Sequence, residues 1–205
     1  MVEKIKWFGH ASFKISGEKI IYIDPWKIQD EEKADIILIS HSHFDHFSLE
    51  DIKKVTTHET DILITPDCQS KLRDVDGNII LIEPGKKYHV KDILIETTPS
   101  YNLNKKFHPK ENDWVGFIIN FKHGRIFYAG DTDNIPEIRN LKVDIALLPV
   151  SGTYVMNPKE AAELANAMKP KIAISYHYGD IVGTEQDALK FKKLCQIPVE
   201  ILKKA

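Results

Sequence analysis

ADIILISHSHFDHFSLEDI (residues 34–52) and VDIALLPVSGTYVMNPKEA (143–161) follow one plan: a buried apolar run, a polar loop, then a capped helix. A second pair precedes them. FKISGEKIIYID (13–24) and INFKHGRIFYAGD (119–131) each read as a strand, a glycine-containing turn and an apolar strand ending in Asp. Two copies of one plan predict two similar halves packed face to face. No low-complexity segment or linker divides them, so one domain is expected over 1–205.

The remaining elements fit this α/β reading. ADIILIS is a short continuous apolar run, as in a central strand covered on both faces. IKWFGHASFKI, SGEK and IIYID read as a hairpin, and so do WVGFIINF, KHGR and IFYAGD. DILITP, NIILIEPG, DILIETTP, VDIALLPV and KIAISY are further strands, several closed by Pro or Gly. Helices are expected at 48–55, 157–169 and 184–195. Ser48 with Asp51 predicts a capping box at the first. Asn157 caps the second, with Ala161, Leu164, Ala165 and Met168 on its buried face. Thr184 opens the third, with Leu189, Phe191 and Leu194 to bury.

The 205 residues carry 42% hydrophobic and 28% charged side chains, an ordinary balance for a folded domain of this length. The net charge is −2 with the two signs interspersed, which disfavours nucleic acid as a partner. No apolar run reaches transmembrane length, and MVEKIKWFGHASFKI has no signal-peptide pattern. Cys68 and Cys195 form no CxxC and no disulfide framework. These features predict a cytoplasmic protein without a membrane partner; a homo-oligomer is left open.

Nine histidines are present, and three of them fall within HSHFDH (41–46). Extended chain puts His41 and His43 on one side, because side chains alternate with period two. The chain then turns before Ser48, so Asp45 and His46 can fold back beside them. Four donors converge just beyond a strand's carboxyl end. Imidazole with carboxylate suits Zn, Mn, Fe or Ni. The spacing has room for two ions, His41 and His43 serving one, Asp45 and His46 the other. Asp131 in YAGDTD and His177 in ISYHYGD also close apolar strands. Either alone reads as a turn or structural residue, but equivalent strand ends of two halves face one cleft.

HSHFDH, GDTD and SYHYG, in that order, resemble the metallo-β-lactamase superfamily. WFGHASFKI, IDP, GTYVMNPKEAAE and KPKIAISYHYGD resemble its small single-domain branch of metal-dependent hydrolases, related to the ascorbate-phosphate lactonases. The match runs from about residue 5 to about 190. The resemblance implies a four-layer αββα sandwich with two divalent metal ions at one edge, zinc first among the candidates and manganese, iron or nickel behind it. It implies His41 and His43 on the first metal, Asp45, His46 and His177 on the second, and Asp131 bridging. The sequence departs from the family where a third histidine of the first site is expected. IETTPSYN places Tyr101 or Asn102 there, and the nearest histidine is His108 in KKFHPKEN. Either His108 reaches back or the first ion has fewer protein ligands; the first is favoured, since site loops are where ligands are re-sourced.

The chemistry so implied is hydrolysis of a small ester, lactone or phosphoester by a metal-activated hydroxide, with Asp45 orienting it and accepting its proton. His10, His108 and Tyr101 are the candidate acids for the leaving group, with His10 placed at the cleft by the resemblance. Asn102 and Tyr154 are candidate rim residues; His58, His89 and His123 read as surface. A nuclease or phosphodiesterase, or a non-catalytic metal-binding protein, are the alternatives. No GxSxG, P-loop or GxGxxG supports serine or nucleotide chemistry.

Overall fold

The structure is a computed structural model describing residues 1–29 and 32–205. Two mixed sheets form it, each with its strands in chain order. The first holds β1 (Ile5–Gly9), β2 (Ser12–Ser16), β3 (Ile20–Ile23), β4 (Ile36–Leu38), β5 (Asp61–Ile64) and β6 (Asn78–Leu81). The second holds β7 (Lys87–Val90), β8 (Ile93–Pro99), β9 (Val115–Phe121), β10 (Gly124–Tyr128), β11 (Ile145–Pro149), β12 (Ile172–Tyr176) and β13 (Val199–Glu200). Each begins as an antiparallel meander and ends as parallel crossovers: β3 to β6 in one, β10 to β13 in the other. Helix α1 (Leu49–Val55) belongs to the first sheet; α2 (Pro158–Met168) and α3 (Glu185–Leu194) belong to the second.

Alternation explains the layering. Ile21 and Ile23 of β3, Ile36 and Leu38 of β4 and Leu63 of β5 face the core between the sheets. Tyr22, Ile37, Ile62 and Ile64 face the other way and pack with Ile52 and Val55 of α1. Both faces of these strands are covered, so the apolar runs are continuous. Burying each such isoleucine contributes about 1.5–3 kcal/mol relative to exposure. The sheets meet where the Phe13 ring stands edge-on to Tyr128 at 6.1 Å and Tyr176 at 5.6 Å. On α2, the predicted face of Ala161, Leu164, Ala165 and Met168 is buried. The expected four-layer αββα arrangement is present.

The halves repeat one pairing plan where β3 meets β4 and where β10 meets β11. Ile21 of β3 pairs with Ile36, and Ile126 of β10 pairs with Ile145. Asp35 Oδ2 accepts from Ile20 N at 2.8 Å, and Asp144 Oδ2 accepts from Arg125 N at 2.7 Å, one interaction made twice.

Four local expectations change. IKWFGHASFKI is two strands, because Gly9 (φ 107°) and His10 (φ 46°) turn the chain between β1 and β2. Ser48 caps α1 through Asp51 N at 3.3 Å, but the Asp51 carboxylate accepts from Ser48 Oγ at 2.7 Å and Lys27 N at 2.8 Å instead of completing a box. On α3 the buried stripe is Ala188 and Phe191, spaced by one turn, while Leu189 and Leu194 point away at 44% and 41% exposure. β7 and β13 carry little apolar pattern and were not expected as strands. Among the described residues, no helix is long and apolar enough to cross a membrane.

Candidate metal centre

Every predicted donor except Tyr101 lies at one edge of the sandwich. The loop after β4 brings His41, His43, Asp45 and His46. Asp131 follows β10, His177 follows β12, His108 comes from the loop between β8 and β9, and His10 turns β1 into β2. Three groups of donor atoms lie within 4.8 Å of one another: His41, His43 and His108; His10, Asp45, His46 and His177; and His41, His46 and Asp131.

The partners of the imidazoles fix which nitrogen faces inward. Ser40 Oγ donates to Asp24 Oδ2 and so accepts from His41 Nδ1 at 2.9 Å, leaving His41 Nε2 bare. Asp24 Oδ2 holds His46 Nδ1 at 2.7 Å. His108 Nδ1 lies 3.2 Å from Asn102 Oδ1 and 3.1 Å from the Tyr154 carbonyl, both acceptors. Each of these three rings therefore donates outward from Nδ1 and turns Nε2 to the centre. His177 Nδ1 rests on Ser151 Oγ at 3.0 Å.

Asp131 stands between the groups. Its Oδ2 is 3.2 Å from His108 Nε2 and 3.0 Å from His177 Nε2, and its Oδ1 is 3.3 Å from His46 Nε2. His41 Nε2 and His43 Nδ1 face each other at 3.1 Å. Neighbouring donors on a tetrahedral ion with bonds of ~2.0–2.1 Å stand roughly 3.3 Å apart, so these separations fit shared ions. A second observation agrees. His46 Nε2, His108 Nε2 and Asp131 Oδ1 are buried and make no hydrogen bond among the described residues. Leaving such atoms without partners costs about 1–3 kcal/mol each, which a bound cation would remove.

Electrostatics follow from burial and these neighbours. Burial pushes His41 well below the usual imidazole range. It pushes His46 the same way, but the Asp131 and Asp24 carboxylates outweigh it and hold His46 well above that range. Asp131 is raised by burial and lowered further by His177 and His46, so it stays ionised. Burial also raises Asp45, but the His10 hydrogen bond at 2.9 Å and the nearby His46 bring its carboxyl to about 2. Burial keeps His10 neutral, so its Nε2–H donates to Asp45.

The backbone is strained here. His10 (φ 46°) and His177 (φ 64°) both adopt the left-handed region, at about 1–3 kcal/mol each. His177 N donates to the His10 carbonyl at 2.9 Å, and Trp7 Nε1 donates to the same oxygen at 3.0 Å. These bonds pin the two turns together.

His108 reaches back into the first group, as favoured from sequence. Tyr101 does not join the cluster: its hydroxyl donates to Glu137 at 3.1 Å, beneath the Lys110 ammonium 4.6 Å from its ring. Asn102 is buried and clamps His108 through its side chain and backbone. His58, His89 and His123 are exposed, with His89 on β7. The sequence reading missed Asp24, Ser40, Ser151 and Trp114. Trp114 places its ring 4.7 Å from His41 and from His43 and anchors its Nε1 on Asp67 at 2.9 Å. The one signal for Asp24 was an acidic residue closing the buried strand IIYID.

Comparison with known proteins agrees with this geometry. The sequence model of the beta-lactamase superfamily domain matches residues 4–177. A UPF0173 metal-dependent hydrolase of Thermoplasma acidophilum is 33% identical, the match covering 93% of this chain and 90% of that protein. One from Staphylothermus marinus is 32% identical over 94% and 90% of the respective chains. A crystal structure from Parabacteroides distasonis, described as a metal-dependent hydrolase, shares 34% identity and a TM-score of 0.85, covering 96% of this chain and 91% of that one. With two strand-end carboxylates, six inward histidines and matches of this breadth, the chain belongs to the beta-lactamase superfamily, among its metal-dependent hydrolases.

Proposed function

We propose that this edge holds two divalent ions and hydrolyses a small-molecule ester, lactone or phosphoester. His41, His43 and His108 hold the first ion, Asp45, His46 and His177 the second, and Asp131 lies between them. The observation that carries the reading is Asp131, with one carboxylate within 3.3 Å of imidazole nitrogens from both groups. Zinc is the first candidate for this imidazole and carboxylate set, with manganese, iron or nickel next. Such ions supply a hydroxide nucleophile at neutral pH and polarise a carbonyl or phosphoryl oxygen.

The chain's own residues orient the reaction. Asp45, ionised down to about 2, remains a hydrogen-bond acceptor at every working pH and aligns the attacking water. His10 has no exposed surface, so its part is to fix Asp45 Oδ2 through the 2.9 Å bond. Asp24 and Asn102 hold His46 and His108 in the tautomer that turns Nε2 inward. Trp114 closes the apolar side of the first group and limits water there. Cys68 and Cys195 are both free, which suits a reducing cytoplasm.

Elemental analysis of the purified protein beside His43→Ala and His108→Ala tests this. Two ions per chain are expected, with the content reduced in both variants and hydrolysis lost in the first. No metal after reconstitution with zinc, manganese, iron or nickel would defeat the reading, as would a His43→Ala variant with unchanged metal and turnover.

A further inference from the structure

The donors are polar, but the loops that carry them end in exposed apolar side chains. Phe44 lies between His43 and Asp45 and is 68% exposed. Its ring stands edge-on to Trp26 at 6.3 Å, and Trp26 in turn lies 5.6 Å from His10. At the other end of the histidine array, Phe107 precedes His108 and is 48% exposed. It packs edge-on against Tyr154 at 4.6 Å, the residue whose carbonyl holds His108 Nδ1. Leu103, at 53%, belongs to the same loop. One apolar wall thus flanks the His10 and Asp45 end, and a second flanks the His108 end.

The cations of these loops are largely engaged. Lys71 donates to the Ser42 carbonyl at 2.8 Å, Lys105 pairs with Asp133, Lys110 pairs with Glu137 at 2.9 Å, and Lys27 sits 4.1 Å over the Trp26 ring. Lys106 is left exposed. A centre made to grip a phosphate or a second carboxylate beside its ions would keep several such charges turned to the substrate. Large exposed apolar groups flanking a polar centre are instead suited to covering the apolar part of a ligand.

Resting on the hydrolase reading above, we propose that the two walls, Trp26 with Phe44 and Phe107 with Tyr154, bind an uncharged apolar acyl or aryl group. The substrate is then an ester or lactone with an extended apolar substituent, not a phosphorylated sugar or a nucleotide. Specificity comes from apolar area covered on both sides of the scissile bond.

Two measurements on the metal-loaded protein test this. The first is kcat/KM for p-nitrophenyl esters from acetyl to octanoyl, beside a phosphorylated sugar lactone. The second is calorimetric binding of N-acetyl-, N-butanoyl- and N-hexanoylglycinamide, which reports on the walls without turnover. Both kcat/KM and affinity are expected to rise with acyl length, kcat/KM by about 10-fold or more across the series. Phe44→Ala and Phe107→Ala should flatten both trends with metal content unchanged, while Ile79→Ala, an exposed residue of β6, should leave the trends in place. Length-dependent binding without hydrolysis of any ester, lactone or phosphoester would uphold the walls and defeat the hydrolase reading. Flat binding and flat kcat/KM, or a preference for the phosphorylated lactone, would overturn the proposal. So would a dimer in sedimentation that Phe44→Ala dissociates, since a second copy would then be the occupant.

Discussion

The two halves of the sandwich share a scaffold and divide the work of the centre unequally. Asp24 N bonds the Leu38 carbonyl at 2.9 Å, and Ala129 N bonds the Leu147 carbonyl at 3.2 Å. Asp24 therefore corresponds in space to Ala129, although IIYID and YAGD look alike as strings. Asp131 lies two residues further along, past Gly130 (φ 69°). That step decides what each carboxylate does. Asp24 sits behind the site, accepting from Ser40 N at 2.7 Å and Tyr128 Oη at 2.6 Å and holding His46. Asp131 reaches among the histidines. A duplicated frame can thus yield one acid that braces a ring from behind and one that stands among the histidines, through a displacement of two positions.

Substitutions that erase the difference should have the largest effect. Asp131→Ala is expected to lower hydrolysis by roughly 10³-fold or more and to empty both groups, read by kinetics and metal content. Asp24→Asn keeps the volume but weakens the hold on His46. Metal affinity should fall about 10–100-fold in chelator competition, with the fold retained in circular dichroism. An affinity loss as severe as that of Asp131→Ala would erase the distinction between brace and ligand. Asn102→Ala should act on one side only. Its removal frees His108, so metal content should fall toward one ion per chain, with an affinity loss of about 10-fold at the first group. Loss of both ions together would show that the groups are not separately built.

The smallest effects test the likeness of the frames. Asp35→Ala and Asp144→Ala each remove a carboxylate from the start of the equivalent strand, Ile20 N in one half and Arg125 N in the other. Each should cost about 0.5–1.5 kcal/mol in denaturant unfolding. A marked inequality would mean that the halves match in geometry but not in energy.

Much of this was legible in the sequence, for reasons that differ from residue to residue. HSHFDH announces itself because period-two alternation turns adjacent histidines to one side. The repeat foretold two sheets, since each copy is a complete strand–helix unit that needs a covered face. Asp131 and His177 are legible only as strand ends within that repeat, for neither carries a local pattern. His108 depends on how the loop from Ser100 to Trp114 closes, which Asn102 decides through bonds across six residues. Asp24 was missed because an acidic strand end reads the same whether it faces the cleft or backs it. Tyr101 shows the reverse: it stands where a donor was expected, but Glu137 and Lys110 draw its hydroxyl away.

The placement of Asp131 also bears on the order of events during synthesis. His10, His41, His43, Asp45 and His46 emerge early, on the first sheet, whereas Asp131 and His177 arrive only with the second. A nascent first half offers imidazoles to a passing ion but lacks the carboxylate that ties the groups together. With the ligands proposed above, durable loading would wait until the second sheet docks, and the ion would act as a late clasp across the seam. Binding and closure of the halves then draw on one free energy.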